Sequence, residues 1–329
     1  MASFAQFGND LYTGKRSYNI VGRRKIWYGI AAVMILAAIV IPFLRGGFIF
    51  GIEFRGGSQF QVSNTTNLSQ PFASDTVTKV AASSNPRVSI VGGDSVRIQT
   101  DQLSDTESVK IQQALAVAYN VPVKKVTASF IGATWGQDIT RQALTGLVIF
   151  VALAAIVMAL YFRTWKMSLA AIVALLHDLI ITAGFYGIFG IEVSPAAVIG
   201  FLTILGYSLY DTVVVFDKIR ETTSEDGSES RRTFGESVNL AVNQTLVRSI
   251  NTSIVAILPV GAILFIGALV LGAGTLRDIS LALFVGIIAG TYSTIFIAAP
   301  LYAHLRSGEE AIKKRDKRTN TVRRASVTS

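Results

Sequence analysis

Six long apolar runs divide this chain. The first covers 26–44 and follows directly on the basic triplet Arg23-Arg24-Lys25. The other five crowd into the second half, at 143–162, 168–189, 195–217, 250–271 and 279–303. At about 1.5 Å per residue, each is long enough to cross about 30 Å of hydrocarbon as an α-helix. The first run outlasts the apolar core of a secretory signal, and no small-x-small cleavage site follows it, so it is expected to stay as a helix.

The intervening stretch, 46–142, has another texture. It holds eight basic and seven acidic residues and alternates in short bursts. Gly56-Gly57-Ser58 opens into QFQV, and RVSIV (87–91) and SVRIQT (95–100) flank the turn signal Gly92-Gly93-Asp94. Alternation bounded by glycine predicts strands. Helices are predicted around 74–83 and from Ser104 to about Asn120, the second opened by the capping box Ser104/Glu107. VKKVTASFIG (123–132) closes the stretch as a strand. The order β-α-β-β-α-β predicts a ferredoxin-like α+β domain inserted between the first two membrane helices.

Charge orients this picture. Residues 1–25 hold five Lys/Arg against one Asp, and 304–329 hold eight against three acidic residues, so the tails account for the whole net charge of +9. Arg163 and Lys166 lie between helices two and three, and Lys218, Arg220, Arg231, Arg232 and Arg248 between helices four and five. The loops on the other side, 190–194 and 272–278, hold only Glu192, Arg277 and Asp278. Basic loops stay in the cytosol, which puts both termini there and the 46–142 domain outside. The expected organisation is a cytosolic basic tail (1–25), a first helix (26–45), an extracytoplasmic domain (46–142), a five-helix bundle (143–303) with a cytosolic loop (218–249), and a second basic tail (304–329). Basic tails beside membrane helices point to anionic membrane lipids rather than nucleic acid.

Composition then excludes whole classes of chemistry. Hydrophobic residues make up 51% and charged residues only 16%, against about 25% charged in soluble proteins. There is no cysteine and only two histidines, so disulfides, thiolate metal sites, Cys nucleophiles and multi-His metal centres are ruled out. No Walker lysine, G-x-S-x-G or H-E-x-x-H motif occurs, and no cofactor is expected.

The informative residues are those that cost free energy in hydrocarbon. An ionisable side chain at the centre of a membrane helix costs about 2.5–3.5 kcal/mol on insertion scales, so it needs a compensating role. His177 and Asp178 lie about 15 Å into helix three. Adjacent residues on a helix point about 100° apart, so each is expected to reach a different partner. In helix four, Asp217 and Lys218 fall at the boundary, whereas Asp211 is six residues deeper, about 9 Å. Tyr207 and Ser208 share its face, and Gly206 leaves room for a neighbouring helix. A carboxylate in an apolar bundle can change protonation near neutral pH. Asp211 is therefore the leading functional candidate. Arg248, Asn251 and Thr252 come to the mouth of helix five, and an Arg that alternately pairs with and releases Asp211 is a workable proton switch. Thr291, Tyr292, Ser293 and Thr294 bring hydroxyls to the middle of helix six.

These residues resemble the SecF family of bacterial protein-export subunits. GIEFRGG (51–57), with Gly51, Glu53, Gly56 and Gly57, looks like the family signature where the first helix meets the external domain. ALLHDLIITAG (174–184), GYSLYDTVVVFDKIRE (206–221), NQTLVRSINTS (243–253) and GTYSTIFIAAP (290–300) resemble its membrane motifs in order. IGATWG (131–136) departs from the usual Ile-Gly-Pro-x-x-Gly, which loosens the inferred hinge. The resemblance implies half of an RND-type membrane assembly in a bacterial plasma membrane. It implies SecD as partner, action with the SecYEG channel and SecA on translocating preproteins, and the proton motive force as energy source. It assigns proton-path roles to Asp211, Arg248, Asp178 and His177. An RND-type small-molecule exporter subunit and an intramembrane enzyme using Asp211 and Asp178 are the competing readings; the exporter fits less well because such proteins have twelve helices per chain and larger external portions.

Overall fold

The computed structural model describes residues 4–91, 94–162, 164–225, 232–267 and 274–328. Gly92 and Gly93, Arg163, Arg231 and the end of the fifth apolar run (268–271), used in the reading above, lie outside them. Six of its helices are long and apolar enough to cross a membrane, and the protein is a multi-pass membrane helical bundle with an inserted α+β domain. A short helix α1 (Phe4–Tyr12) precedes the first crossing, α2 (Arg24–Leu44), and a single turn α3 (Ile52–Arg55) follows it.

The inserted domain runs β1 (Gly57–Val62), α4 (Gln70–Val80), β2 (Arg87–Val91), β3 (Ser95–Thr100), α5 (Asp105–Ala118) and β4 (Val126–Ile131). Its sheet is antiparallel in the order β2-β3-β1-β4, the ferredoxin-like arrangement. Strand alternation divides the sheet in two. Phe60, Val62, Val96 and Ile98 bury against Val77, Ile111 and Leu115 of the two helices. On the other face, Arg97 and Gln99 of β3 turn towards the membrane bundle. Ser104 and Glu107 close α5 with the expected reciprocal capping box.

The bundle continues with α6 (Ala133–Phe162), α7 (Trp165–Phe189), α8 (Pro195–Glu225), α9 (Phe234–Ala262), α10 (Gly274–Ser293) and α11 (Ala299–Arg306); α12 (Glu310–Thr328) ends the chain. Two π-turns interrupt it, Ile263–Gly267 after Pro259 and Thr294–Ala298 before Pro300. A proline lacks an N–H and crowds the carbonyl four residues back, which for Pro300 is that of Phe296 inside the second π-turn. Packing is closest where glycines face neighbours. A Cβ on Gly184 would stand 2.7 Å from Ala38 Cα, and one on Gly187 would stand 2.5 Å from Pro42 Cγ, so α2 lies directly on α7.

Three segment boundaries differ from the sequence reading. The second membrane helix begins at Ala133 rather than 143, with only Gly132 between it and the end of β4 at Ile131. The loop expected over 218–249 is mostly helix: α8 runs on to Glu225, and a capping box of Thr233 with Glu236 starts α9 at Phe234. The basic tails are also structured. Leu11, Ile20, Val21 and Ile312 bury in the same core as α7, α8 and α9.

Two asparagines one turn apart on α9 hold the N-terminal segment. Asn239 Oδ1 accepts from the N–H groups of Ile20 (2.8 Å) and Val21 (3.1 Å). Asn243 Oδ1 accepts from Tyr18 N–H (2.7 Å), and its Nδ2 donates to Tyr18 O (2.9 Å). Asn243 is fully buried, so Asn243→Ala is expected to loosen residues 4–23 by about 2 kcal/mol. Hydrogen exchange of those amides, with the bundle amides as reference, checks this. Unchanged protection at Tyr18 and Ile20 would refute the clamp.

Candidate functional site

The midplane of the bundle carries a seam of carboxylates and hydroxyls shared by α7, α8, α9 and α10. Asp178 on α7 is fully buried. Its Oδ2 accepts from Ser208 Oγ of α8 (2.5 Å) and Ser293 Oγ of α10 (2.9 Å). Its Oδ1 lies 3.1 Å from His177 Nδ1. The two neighbours thus meet each other, contrary to the expectation of separate partners: the Asp178 carboxyl is wide enough to meet α8 and α10 with one oxygen and the adjacent imidazole with the other. His177 Nε2 is buried without a hydrogen-bond partner, and the ring lies 5.9 Å from that of Tyr292.

One turn along α8 from Ser208, Asp211 serves a different neighbour. Its Oδ1 accepts from Ser249 Oγ of α9 (3.0 Å), while Oδ2 is buried without a partner. Among the described residues no ion pair joins it to Arg248. Ser249 takes the inward position, and Arg248, about 100° around α9, is exposed on the flank of the bundle and acts on Asp211 only through space. Here Asp211 is held by a Ser–Asp bond with the guanidinium outside it, the released arm of the expected alternation. Ser208 and Asp211 share one side of α8 but serve different neighbours, and the Tyr207 hydroxyl is buried beside Ser253 without a hydrogen bond of normal geometry.

More hydroxyls extend the seam. Ser253 and Thr291 are 2.5 Å apart, and Thr212 and Thr294 are 2.9 Å apart, the latter in the π-turn before Pro300. Tyr292 donates to Trp27 O (2.9 Å), tying α10 to α2, and Thr252 donates to Arg248 O within α9. The four hydroxyls expected to matter in helix six all find partners. Gly290 makes the crossing possible: a methyl there would come within 3.2 Å of Ser208 Oγ and 3.5 Å of Asp178 Oδ2. Ser249 and Gly290 were not singled out by the sequence, because a small residue in an apolar run carries no signal without knowledge of its neighbour.

Nothing lies within 4 Å of a Cβ placed on Gly206, so the room expected there is present and no helix among the described residues fills it. Together with exposed Tyr210 on α8 and exposed Arg248 and Asn251 on α9, it forms an open face with polar groups at the level of Asp211.

The signature residues form the joint between domain and bundle. Gly56 (φ 78°) and Gly57 (φ 143°) occupy backbone conformations that side chains resist, and the Ala133 and Thr100 backbones press on them. Gly51 N–H bonds Val193 O (3.0 Å), and Val193 N–H bonds Ile49 O (2.7 Å), pairing the segment with the α7–α8 loop. Gln99 Nε2 donates to Glu192 Oε1 (2.7 Å), and Ser194 Oγ donates to Asp278 Oδ2 (2.6 Å). Glu53 Oε2 is buried there without a partner.

Burial, the largest influence, lifts the Glu53 carboxyl above the usual range; its own backbone N–H pulls against this, Glu192 and Asp278 add to it, and Arg97 opposes. The folded state therefore binds this proton more tightly than the unfolded chain. Its stabilisation is full below the ordinary carboxylate range and is lost as pH rises through the raised value. In Glu53→Gln that decline above the ordinary carboxylate range is expected to flatten. Thermal melts across that range are the check, and an unchanged slope would refute the assignment.

Residues 110–308 match the model of the C-terminal part of the protein export membrane proteins SecD and SecF. The chain belongs to the SecF family. It is 46% identical to the protein translocase subunit SecF of Streptomyces coelicolor over 97% of this chain and 84% of that one. It is 41% identical to the Mycobacterium tuberculosis SecF over 95% of this chain and 72% of that one. Among solved structures it resembles SecDF of Thermus thermophilus, a translocon-associated membrane protein, with a TM-score of 0.77 and 28% identity. That match covers 89% of this chain and 39% of the SecDF chain. A SecF-family chain thus corresponds to about two fifths of a SecDF polypeptide.

Proposed function

We propose that this chain is a SecF-type subunit that helps drive protein export across the plasma membrane of a bacterium, using the proton motive force. The observation that carries the reading is the buried seam. Asp178 and Asp211 sit inside the helix bundle with hydroxyls on three neighbouring helices, and one oxygen of Asp211 is unpartnered. A buried carboxylate oxygen without a donor is a place where a proton can be taken up. The two carboxylates bond different helices, which disfavours a catalytic pair attacking one bond.

The open face of α8 and α9 supports a partner. Arg248 and Asn251 exposed to hydrocarbon are costly, and a second subunit would cover them. SecD fits, because the relatives include SecDF proteins that carry this region within a longer chain. In this reading the α+β domain is extracytoplasmic, both termini are cytosolic, and emerging preproteins leave SecYEG and SecA within reach of the domain. One proton crossing about 100 mV releases about 2.3 kcal/mol.

The test is photo-crosslinking from exposed positions of the α+β domain, such as Phe130, to a preprotein arrested in the channel, in vesicles holding SecD and an imposed proton gradient. Adducts that form, and fall in yield when the gradient is applied and the chain moves past, are expected. Failure to trap any preprotein, with the assembled complex present, would reject the export reading.

A further inference from the structure

A trough of about 430 Å³ runs down the bundle beneath the α+β domain, between α6, α7 and α8. Its walls are apolar: Phe48, Phe54, Leu144, Leu147 and Phe201 line it, and half-buried Leu147 and strongly exposed Leu144 leave it open to the hydrocarbon side. Such a volume falls in the range of small-molecule sites. One lining residue is charged. Arg55, the last residue of α3, stands at the end nearest the domain.

The state of that guanidinium identifies what is missing. Nη1 reaches Asp101 Oδ1 only at 3.5 Å, while Nε and Nη2 are buried and have no hydrogen-bond partner. Buried donors are almost always satisfied, and guanidinium groups are suited to two-pronged binding of phosphate oxygens. Burial pushes the Arg55 group down from its ordinary value, nearby Arg87 adds to this, and Asp101 and Glu192 oppose it. An anion that met those donors after a turn of the side chain would offset the cost of burial and the Arg87 repulsion together.

A cation with two buried, unpartnered donors that lines an apolar trough facing hydrocarbon matches one ligand class. We propose that this is a binding site for an anionic phospholipid of the leaflet on the domain side. One acyl chain fills the trough between α6 and α8, and the phosphate caps Nε and Nη2 of Arg55. The lipid then bridges α3, at the root of the domain, to the membrane helices. The site is separate from the carboxylate seam.

The full chain, reconstituted in phosphatidylcholine nanodiscs with a minority of phosphatidylglycerol, tests this by native mass spectrometry of lipids retained after release. One phosphatidylglycerol per chain is expected, preferred over phosphatidylcholine by about tenfold, the scale of one charge-assisted contact. Arg55→Gln should reduce that preference to about unity. Ala143→Trp, which fills the trough and spares Arg55, should remove the retained lipid of either type. Thermal melts identify which variants remain folded, and the parent's preference stands as a test without them. Equal retention of the two lipids by the parent overturns the proposal. So does undiminished phosphatidylglycerol selectivity in folded Arg55→Gln, or a partner helix cross-linking into the trough with no lipid retained.

Discussion

Asp211→Asn is expected to leave the protein inserted and folded while removing all stimulation of export by a proton gradient. The substitution keeps the shape of the side chain and the oxygen that accepts from Ser249, 3.0 Å away, so the contact between α8 and α9 survives. What it removes is the ability to take up and release a proton at the second oxygen, which is buried and unpartnered. If one proton crossing about 100 mV biases a two-state movement, the lost bias is about fiftyfold in population. The measurement is preprotein translocation in vesicles that contain SecD, with and without an imposed gradient. The melting temperature serves as the control for folding. Full gradient stimulation in a folded Asp211→Asn protein would remove this residue from the mechanism.

Arg248 sharpens that expectation. It does not bond Asp211 in this chain but lies exposed on the face where Gly206, Tyr210 and Asn251 also stand uncovered. A guanidinium placed there answers to whichever subunit covers the face. Arg248→Ala should therefore impair the assembled pair more than it changes the stability of the isolated chain.

Much of this architecture was legible in the sequence because membranes and small sheets impose strict periodicities. Hydrocarbon requires about 20 apolar residues per crossing, and the six runs stood out on that ground alone. The strands β2 and β3 and the capping box at Ser104 follow equally local rules. Asp178 and Asp211 were legible because buried charge is costly. Their partners were not. Whether Ser208 serves Asp211, one turn away, or Asp178 on another helix depends on how α8 is rotated, and a nearly all-apolar helix gives no periodic signal for rotation. The same ignorance made Arg248 rather than Ser249 the expected partner of Asp211. The helical tails were hidden for another reason. Lys- and Arg-rich segments read as solvated, and only the asparagines on α9 and the apolar Leu11, Ile20 and Ile312 fix them to the bundle.

Asp178→Ala should show the second large effect, on stability rather than on coupling. The carboxylate is fully buried and ties three elements together: α7 through His177, α8 through Ser208 and α10 through Ser293. Its loss leaves those donors facing a cavity. Each buried donor left unsatisfied costs about 1–3 kcal/mol. Hydroxyls in membranes recover part of this, because interhelical bonds there average about 0.6 kcal/mol, and Ser293 already leans towards Gly290 O at 3.2 Å. A net loss of about 2 kcal/mol follows, a shift of about thirtyfold in the folded population, read by denaturant unfolding in detergent. Asp178→Asn separates the two roles that a buried carboxylate can play. Its amide oxygen still accepts from both serines, so stability should return to within about 1 kcal/mol of the parent, while a proton-carrying role would stay lost. A stable Asp178→Asn protein that also retained gradient stimulation would make Asp178 the structural tie of α7, α8 and α10, and leave proton transfer to Asp211.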